Sequence, residues 1–265
     1  MSAPRPRESL RPSVFRPLLR WLQERLEGGP LHFTLLDPDK TPGDRAGEVA
    51  QRAERLGTHL ILLGGSTGIR PEGMSAAARS IHARTRLPVV IFPQGTESVT
   101  PEADAILWMS LLNSRNLRWV VRTHAGASLA VRHLGLEPIS LGYLVVAPGM
   151  KVGEVGEADV LPRDAPQVAA GWALAAEYLG MQLVYLEAGS GAPEPVPLPL
   201  VRAVREVLKV PLLVGGGIRR ADQARALLGA GAQVLVTGTV VEEGGEEALR
   251  PIIEEVNRHR VRPAR

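Results

Sequence analysis

No cysteine occurs in the 265 residues. Disulfides and thiolate metal sites are therefore excluded, and a reducing compartment, the cytoplasm, is the expected location. Lysine is almost missing: only Lys40, Lys151 and Lys209 are present, so arginine carries the base. The net charge is +3 and the isoelectric point about 9.7. Aromatic residues make up 4% of the chain and do not interleave with a basic patch, which argues against a nucleic-acid partner. No apolar run approaches the roughly 18 residues of a spanning helix. The first twenty residues lack the apolar centre of a secretory signal. His32, His59, His82, His124, His133 and His259 show no ligand spacing, so a histidine zinc site is not expected.

What remains is an ordinary globular balance, with 45% hydrophobic and 22% charged residues. Arg5, Arg7, Arg11, Arg16 and Arg20 crowd the start against Glu8 alone. They read as a solvated, flexible arm. The sharper alternative is transient contact with an anionic membrane surface, at about 1 kcal/mol per base. Residues 13–27 form a helical pattern through Phe15, Leu19, Leu22 and Leu26, stopped by Gly28-Gly29.

Eight apolar, β-favouring runs follow, at 31–36, 59–63, 88–92, 104–109, 139–146, 182–186, 211–214 and 233–237. Near-continuous apolarity is what parallel strands buried on both faces require. Helical patterns alternate with them, at 46–56, 72–85, 115–134, 166–179, 198–208, 220–229 and 246–258. The alternation predicts an α/β fold, a TIM (β/α)8 barrel with an extra N-terminal helix. One crossover is too short: "PQGTESVTPEA" between strands three and four leaves the third helix missing or reduced. No composition shift marks a second domain. The reading is a single barrel domain over 1–265: a basic arm at 1–12, a helix at 13–29 and the barrel at 31–259.

Chemistry belongs at the strand ends. Loops after strands seven and eight of such barrels commonly bind phosphate. That role needs unhindered backbone N–H groups and no side chain in the way. Gly216-Gly217 and Gly238-Thr239 fit it, although glycines there also serve tight turns. Strand one ends "LLDPDK", with Asp37 and Asp39 around Pro38 and Lys40 beyond. Strand two ends "LLGGSTGI", presenting Ser66 and Thr67. A carboxylate and a hydroxyl on adjacent strand ends beside a phosphate cup suit Mg²⁺. Asp37 read alone suits an Asx-turn before proline equally well. Strand six ends "YLEAGSGA", where alternation puts Tyr185 and Glu187 on one face. Glu187 is a candidate general base at the mouth, or a surface carboxylate. Lys151 is a substrate contact or a solvated loop charge.

The segments "HFTLLDPDK", "LLGGSTGI", "WMSLLNSRN", "GYLVVAPG", "YLEAGSGA", "VGGGI" and "VTGT" together resemble the geranylgeranylglyceryl phosphate synthase family. The resemblance runs from about His32 to Val241. It implies Mg²⁺-dependent transfer of a prenyl group from geranylgeranyl diphosphate to the 3-hydroxyl of sn-glycerol 1-phosphate, releasing diphosphate, in ether-lipid biosynthesis. It further implies metal ligands Asp37 and Ser66, and for such a reaction the candidate base Glu187 would be the catalytic residue that accepts the hydroxyl proton. Glycerol phosphate would lie along Tyr185, Leu186, Glu187, Ala188, Gly189, Ser190 and Gly191. Its phosphate would sit on Gly216, Gly217, Gly238 and Thr239. A homo-oligomer, dimer or hexamer, is implied too, with Trp108 as an interface or core aromatic. Two departures stand out. One branch of the family carries a lysine two residues before the metal Asp, where this chain has Leu35. The loop after strand five reads "APGMKVGEVGEA" and lacks the tryptophan of "EPGGTAGWVGDA". Two rivals remain: another phosphate-handling barrel isomerase or synthase, which shares the glycine cup by fold alone, and a non-catalytic binder of phosphorylated ligands.

Overall fold

The apolar runs become strands of three to nine residues: β1 Leu31–Leu36, β2 Leu60–Leu63, β3 Val89–Ile91, β4 Ala105–Leu111, β5 Glu137–Val145, β6 Leu183–Glu187, β7 Leu212–Gly215 and β8 Val234–Thr237. The computed structural model describes residues 17–65 and 70–260. The basic arm, the start of the first expected helix, Ser66 and Thr67 lie outside the described residues. The eight strands pair in parallel in sequence order, and β1 closes on β8. Strand alternation divides their side chains into two cores. Inward residues such as Phe33, Leu62, Leu107, Leu141 and Leu213 fill the barrel. Outward residues such as Leu36, Leu63, Ile91 and Leu186 pack under the helices.

Those helices are α1 Pro17–Glu27, α2 Asp44–Leu56, α3 Pro71–Arg84, α4 Thr123–His133, α5 Met150–Val155, α6 Pro166–Tyr178, α7 Leu198–Val207, α8 Ala221–Gly229 and α9 Thr239–Arg258. The short connection between β3 and β4 holds only a 3₁₀ turn, Thr96–Ser98, so the barrel wall is uncovered there. Two elements near the strand ends differ from the sequence expectation. The last helix starts at Thr239 and changes direction at Gly245, where the backbone is not helical. The loop after β5 contains the six-residue α5, which no periodicity announced. Among the described residues no helix is long and apolar enough to cross a membrane.

The bottom of the barrel is sealed, which leaves the strand ends as the open face. Leu18, Leu19 and Leu22 of α1 join the barrel interior. Burial of each is worth about 1.5–3 kcal/mol. The α1 start is held by Glu137, whose carboxylate accepts the N–H groups of Leu18 at 2.8 Å and Leu19 at 3.1 Å. Its end is held by Arg260, which donates to the carbonyls of Arg25, Gly29 and Pro30. A carboxylate at a helix start and a cation at its end both suit the helix dipole.

Candidate active site

The loops after β6, β7 and β8 form a small cup of about 50 Å³. Tyr185, Glu187, Ser190, Gly191, Gly216, Gly217, Gly238 and Thr239 all line it, so the structure brings together most of the residues expected to bind substrate. Gly216 and Gly217 have φ of 80° and 71°, a region that side chains rarely adopt. A Cβ on Gly216 would also strike the Glu187 carboxylate and stand 2.6 Å from the Gly189 nitrogen. Bare backbone is therefore required at Gly216. Gly238 differs, because a Cβ there would meet nothing closer than the Leu35 carbonyl at 3.4 Å. The Ser190 and Thr239 hydroxyls are 2.9 Å apart and join the β6 and β8 loops across the rim. Leu186 and Ala188 are placed otherwise. Both side chains belong to the outer core, and neither residue lines the cup or the cavity beside it.

Glu187 is 6% exposed, so it is not a surface carboxylate. Its Oε1 accepts the Gly189 N–H at 2.6 Å. Burial pushes its carboxyl above the ordinary range. Interactions with the Tyr185 hydroxyl, the Gly189 N–H and the Tyr143 hydroxyl hold it down. Sequence reading missed Tyr143. Its place in "GYLVV" puts it on the inward face of β5, but only the register, Tyr143 beside Tyr185, brings it to Glu187. Arg219 was missed as well. It lines the cup and donates to the Ala192 carbonyl at 2.8 Å, tying the β7 loop to the β6 loop. Its signal was its place directly after "GGGI".

A larger cavity of about 330 Å³ opens beside the cup and shares Leu35, Glu187, Ser190, Gly238 and Thr239 with it. It runs past Phe92 and out through the wall where the third helix is absent. There it passes between Pro93 and Val99 on one side and Trp108, His124 and Ala127 on the other. Trp108 stacks on the His124 ring at 4.7 Å and packs against the outer core. His124 is pinned by the Met109 carbonyl at 2.9 Å, and burial lowers its basicity.

Asp37 lines the same cavity near the cup. Its Oδ1 accepts the Asp39 N–H at 3.0 Å, so the Asx-turn reading holds for one oxygen. The carboxylate also lies against Gly65, where any Cβ would overlap it. This puts Asp37 beside the loop that carries Ser66, which itself lies outside the described residues. Among the described residues no three His, Asp or Glu side chains converge. The carboxylate that lines the cavity at this corner is that of Asp37. That donor set fits a hard cation that keeps waters and bridges to substrate phosphates. Lys40 and Lys151 line the cavity too; Lys151 pairs with Glu154 at 3.0 Å in an exposed position.

Residues 19–256 match the model of the PcrB family. The chain is 48% identical over 239 residues to the geranylgeranylglyceryl phosphate synthase of Thermococcus kodakarensis, covering 90% of this chain and 95% of that protein. It is 48% identical to the enzyme of the same name from Pyrococcus abyssi over 241 residues, 90% of this chain and 95% of that one. The crystal structure of (S)-3-O-geranylgeranylglyceryl phosphate synthase from Thermoplasma acidophilum, in complex with its substrate sn-glycerol-1-phosphate, superposes with a TM-score of 0.88. Its identity is 43%, and 91% of this chain and 98% of that one are covered.

Proposed function

The chain belongs to the PcrB family, and from that premise we propose that it joins a geranylgeranyl group to the 3-hydroxyl of sn-glycerol 1-phosphate with the help of Mg²⁺. It is a prenyltransferase of the geranylgeranylglyceryl phosphate synthase type. The observation that carries the fuller reading is the junction of two cavities at Glu187. A small cup with glycine backbone meets a long apolar groove, and five residues line both. A phosphorylated polar substrate and a long apolar one are thus brought end to end. An isomerase or synthase of small phosphorylated substrates has no use for the groove.

The residues then divide the work. The cup holds the glycerol phosphate by its phosphate, so the free hydroxyl points back to Glu187. The groove receives the prenyl tail, and its allylic carbon faces the same carboxylate. Asp37, with Ser66 by sequence, would hold Mg²⁺. Bound there, the ion would offset charge developing on the leaving diphosphate. Glu187 accepts the hydroxyl proton as the ether bond forms, and its buried position excludes water from that transfer.

The glycines make a graded test. Gly238→Val has room for its Cβ, so it is expected to weaken glycerol phosphate binding on the order of tenfold, with prenyl diphosphate binding little changed. Gly216→Val pushes on Glu187, so it is expected to lower kcat as well. Calorimetric titration with each substrate, beside turnover, checks both. Equal loss for the two substrates in Gly238→Val would show that the cup is misassigned.

A homo-oligomer is part of the proposal. Leu117, Val121 and Leu129 near α4 and Val168, Trp172 and Leu179 near α6 are exposed apolar side chains on either side of β5. A second copy covering them would account for their exposure.

The reading is tested by incubating the protein with Mg²⁺, geranylgeranyl diphosphate and either sn-glycerol 1-phosphate or sn-glycerol 3-phosphate. A prenylglyceryl phosphate from the 1-phosphate alone is expected. Absence of product from both, or equal product from the 3-phosphate, would refute it.

A further inference from the structure

We infer that Asn113 and Ser114 are positioning residues for the prenyl substrate: they clamp the far end of α5 so that this helix forms one wall of the groove. This role rests on the proposed reading of the groove as the prenyl site.

The segment "LLNSRN" follows β4, and its polar residues share one task. The parallel ladder between β4 and β5 runs out where the Leu112 N–H donates to the Tyr143 carbonyl at 3.1 Å. Beyond that point the Asn113 side chain takes the place of the strand. Its Oδ1 accepts the Val145 N–H at 3.1 Å, and its Nδ2 donates to the Val145 carbonyl at 2.9 Å. Nδ2 also donates to the Asp159 carbonyl at 2.8 Å, while the Asp159 N–H donates back to the Asn113 carbonyl at 2.8 Å. Asn113 is 2% exposed, and a carboxamide can both accept and donate twice in that position. The Ser114 hydroxyl donates to the Gly156 carbonyl at 2.6 Å. The Arg115 N–H adds a bond to the Glu157 carbonyl at 3.0 Å, and the Asn116 amide adds one to Glu157 Oε1 at 2.6 Å.

What these residues grip is a wall. Lys151, Val152, Val155 and Gly156 line the larger cavity, and no residue of α5 lines the cup. Val152 packs against the side chains that fill the barrel. A Cβ on Gly156 would strike the Leu111 side chain, so the end of α5 lies directly on β4. The helix has only six residues, and isolated helices shorter than about 12 residues are marginal in water. Both of its ends carry backbone that side chains rarely adopt, with φ of 46° at Met150 and 49° at Glu157. Such conformations persist where the surroundings impose them. At the first end the Gly149 N–H donates to the Ala188 carbonyl at 3.2 Å, a tie to the β6 loop that involves neither Asn113 nor Ser114. At the far end the imposing contacts come from residues 113–116. Loosening them therefore frees the groove wall and spares the cup.

The test measures equilibrium binding of geranylgeranyl diphosphate with Mg²⁺ and, separately, of sn-glycerol 1-phosphate. It compares the wild type with Ser114→Ala, Asn113→Asp and Gln182→Ala. Ser114→Ala removes one bond at a half-buried position, so the protein is expected to fold. It should weaken geranylgeranyl diphosphate binding about tenfold and change glycerol phosphate binding less than about twofold. Asn113→Asp turns an acceptor towards two carbonyls, so its effect should run the same way and be larger. Gln182, directly before β6, accepts the Ser140 N–H at 3.0 Å and lines neither cavity. Gln182→Ala is the control, expected to lower the unfolding temperature and leave both affinities unchanged. Hydrogen exchange gives the second readout. Amides of residues 150–159 should be protected in the wild type by geranylgeranyl diphosphate and not by sn-glycerol 1-phosphate, and should exchange faster in Ser114→Ala. Equal weakening of both ligands in Ser114→Ala, unchanged exchange at 150–159, or an equal loss of prenyl diphosphate binding in Gln182→Ala would overturn the clamp. If the wild type binds no geranylgeranyl diphosphate, the reading of the groove fails, and the clamp with it. If the wild type binds it and Ser114→Ala binds it equally well, only the clamp fails.

Discussion

Asp37→Asn is expected to lower turnover on the order of 10³-fold while the protein stays folded. The substitution separates the two uses of Asp37. Its Oδ1 accepts the Asp39 N–H at 3.0 Å, and an asparagine oxygen can accept the same bond. The turn that starts "DPDK" should survive, as should the backbone contacts from Lys40 and Thr41 to the Asp37 carbonyl. The charge is lost. A neutral amide is a poor ligand for Mg²⁺, which prefers anionic oxygen. No group of three or more His, Asp or Glu side chains stands among the described residues to take over the ion. Thermal unfolding close to that of wild type, Mg²⁺-dependent diphosphate binding abolished and turnover nearly absent would together support the assignment. Folded Asp37→Asn protein with near-normal activity would rule it out.

Glu187→Gln should lower kcat by about 10²–10⁴-fold with a smaller change in glycerol phosphate affinity. Glutamine keeps the size and can still accept the Gly189 N–H, now 2.6 Å from Oε1. It cannot take up a proton. An unassisted alcohol is a poor nucleophile, so the loss should fall on the chemical step. Glu187→Ala is expected to be worse in both respects. It removes the partner of the substrate hydroxyl and leaves Tyr143 and Tyr185 facing a void. Because burial raises the Glu187 pKa, activity of the wild type should fall as the pH drops through that raised value. Single-turnover kinetics beside equilibrium binding decide the matter. Weakened binding with an intact chemical step in Glu187→Gln would make Glu187 a binding group only.

The barrel was legible because parallel strands buried on both faces leave unbroken apolar runs. "LHFTLL" and "QVLVT" are such runs, and each became a strand within a residue of the expected ends. The missing third helix was equally plain, since "PQGTESVTPEA" has too few residues and too much Pro and Gly. That the gap leaves room for an apolar groove was legible too; its edges were not, because Trp108 and His124 meet there only through the packing of β4 and α4. The start of β5 at Glu137 was hidden because Glu137 looks like a solvated residue. Its carboxylate caps α1, 119 residues away. The first turns of α9 were hidden by Gly244-Gly245, which read as a break and do redirect the helix.

At the site, the residue types at strand ends could be read, but neither burial nor register could. Glu187 in "EAGSGA" was compatible with surface or mouth. Its burial depends on side chains from other strands, such as Tyr143 beside Tyr185, brought in only by the order of strands around the barrel. Leu186 and Ala188 show the converse. A contiguous motif suggested a contiguous contact, yet strand alternation turns every second side chain into the outer core.

The central claim is that the hydroxyl oxygen of glycerol phosphate, accepted in the cup, attacks the allylic carbon held at the mouth of the groove. The most direct measurement gives the enzyme sn-glycerol 1-phosphate labelled with ¹⁸O in its 3-hydroxyl, together with unlabelled geranylgeranyl diphosphate and Mg²⁺. Mass spectrometry then follows the label. It should be retained in the ether product, with none in the released diphosphate. Label appearing in the diphosphate, or an ether product without label, would contradict that chemistry outright.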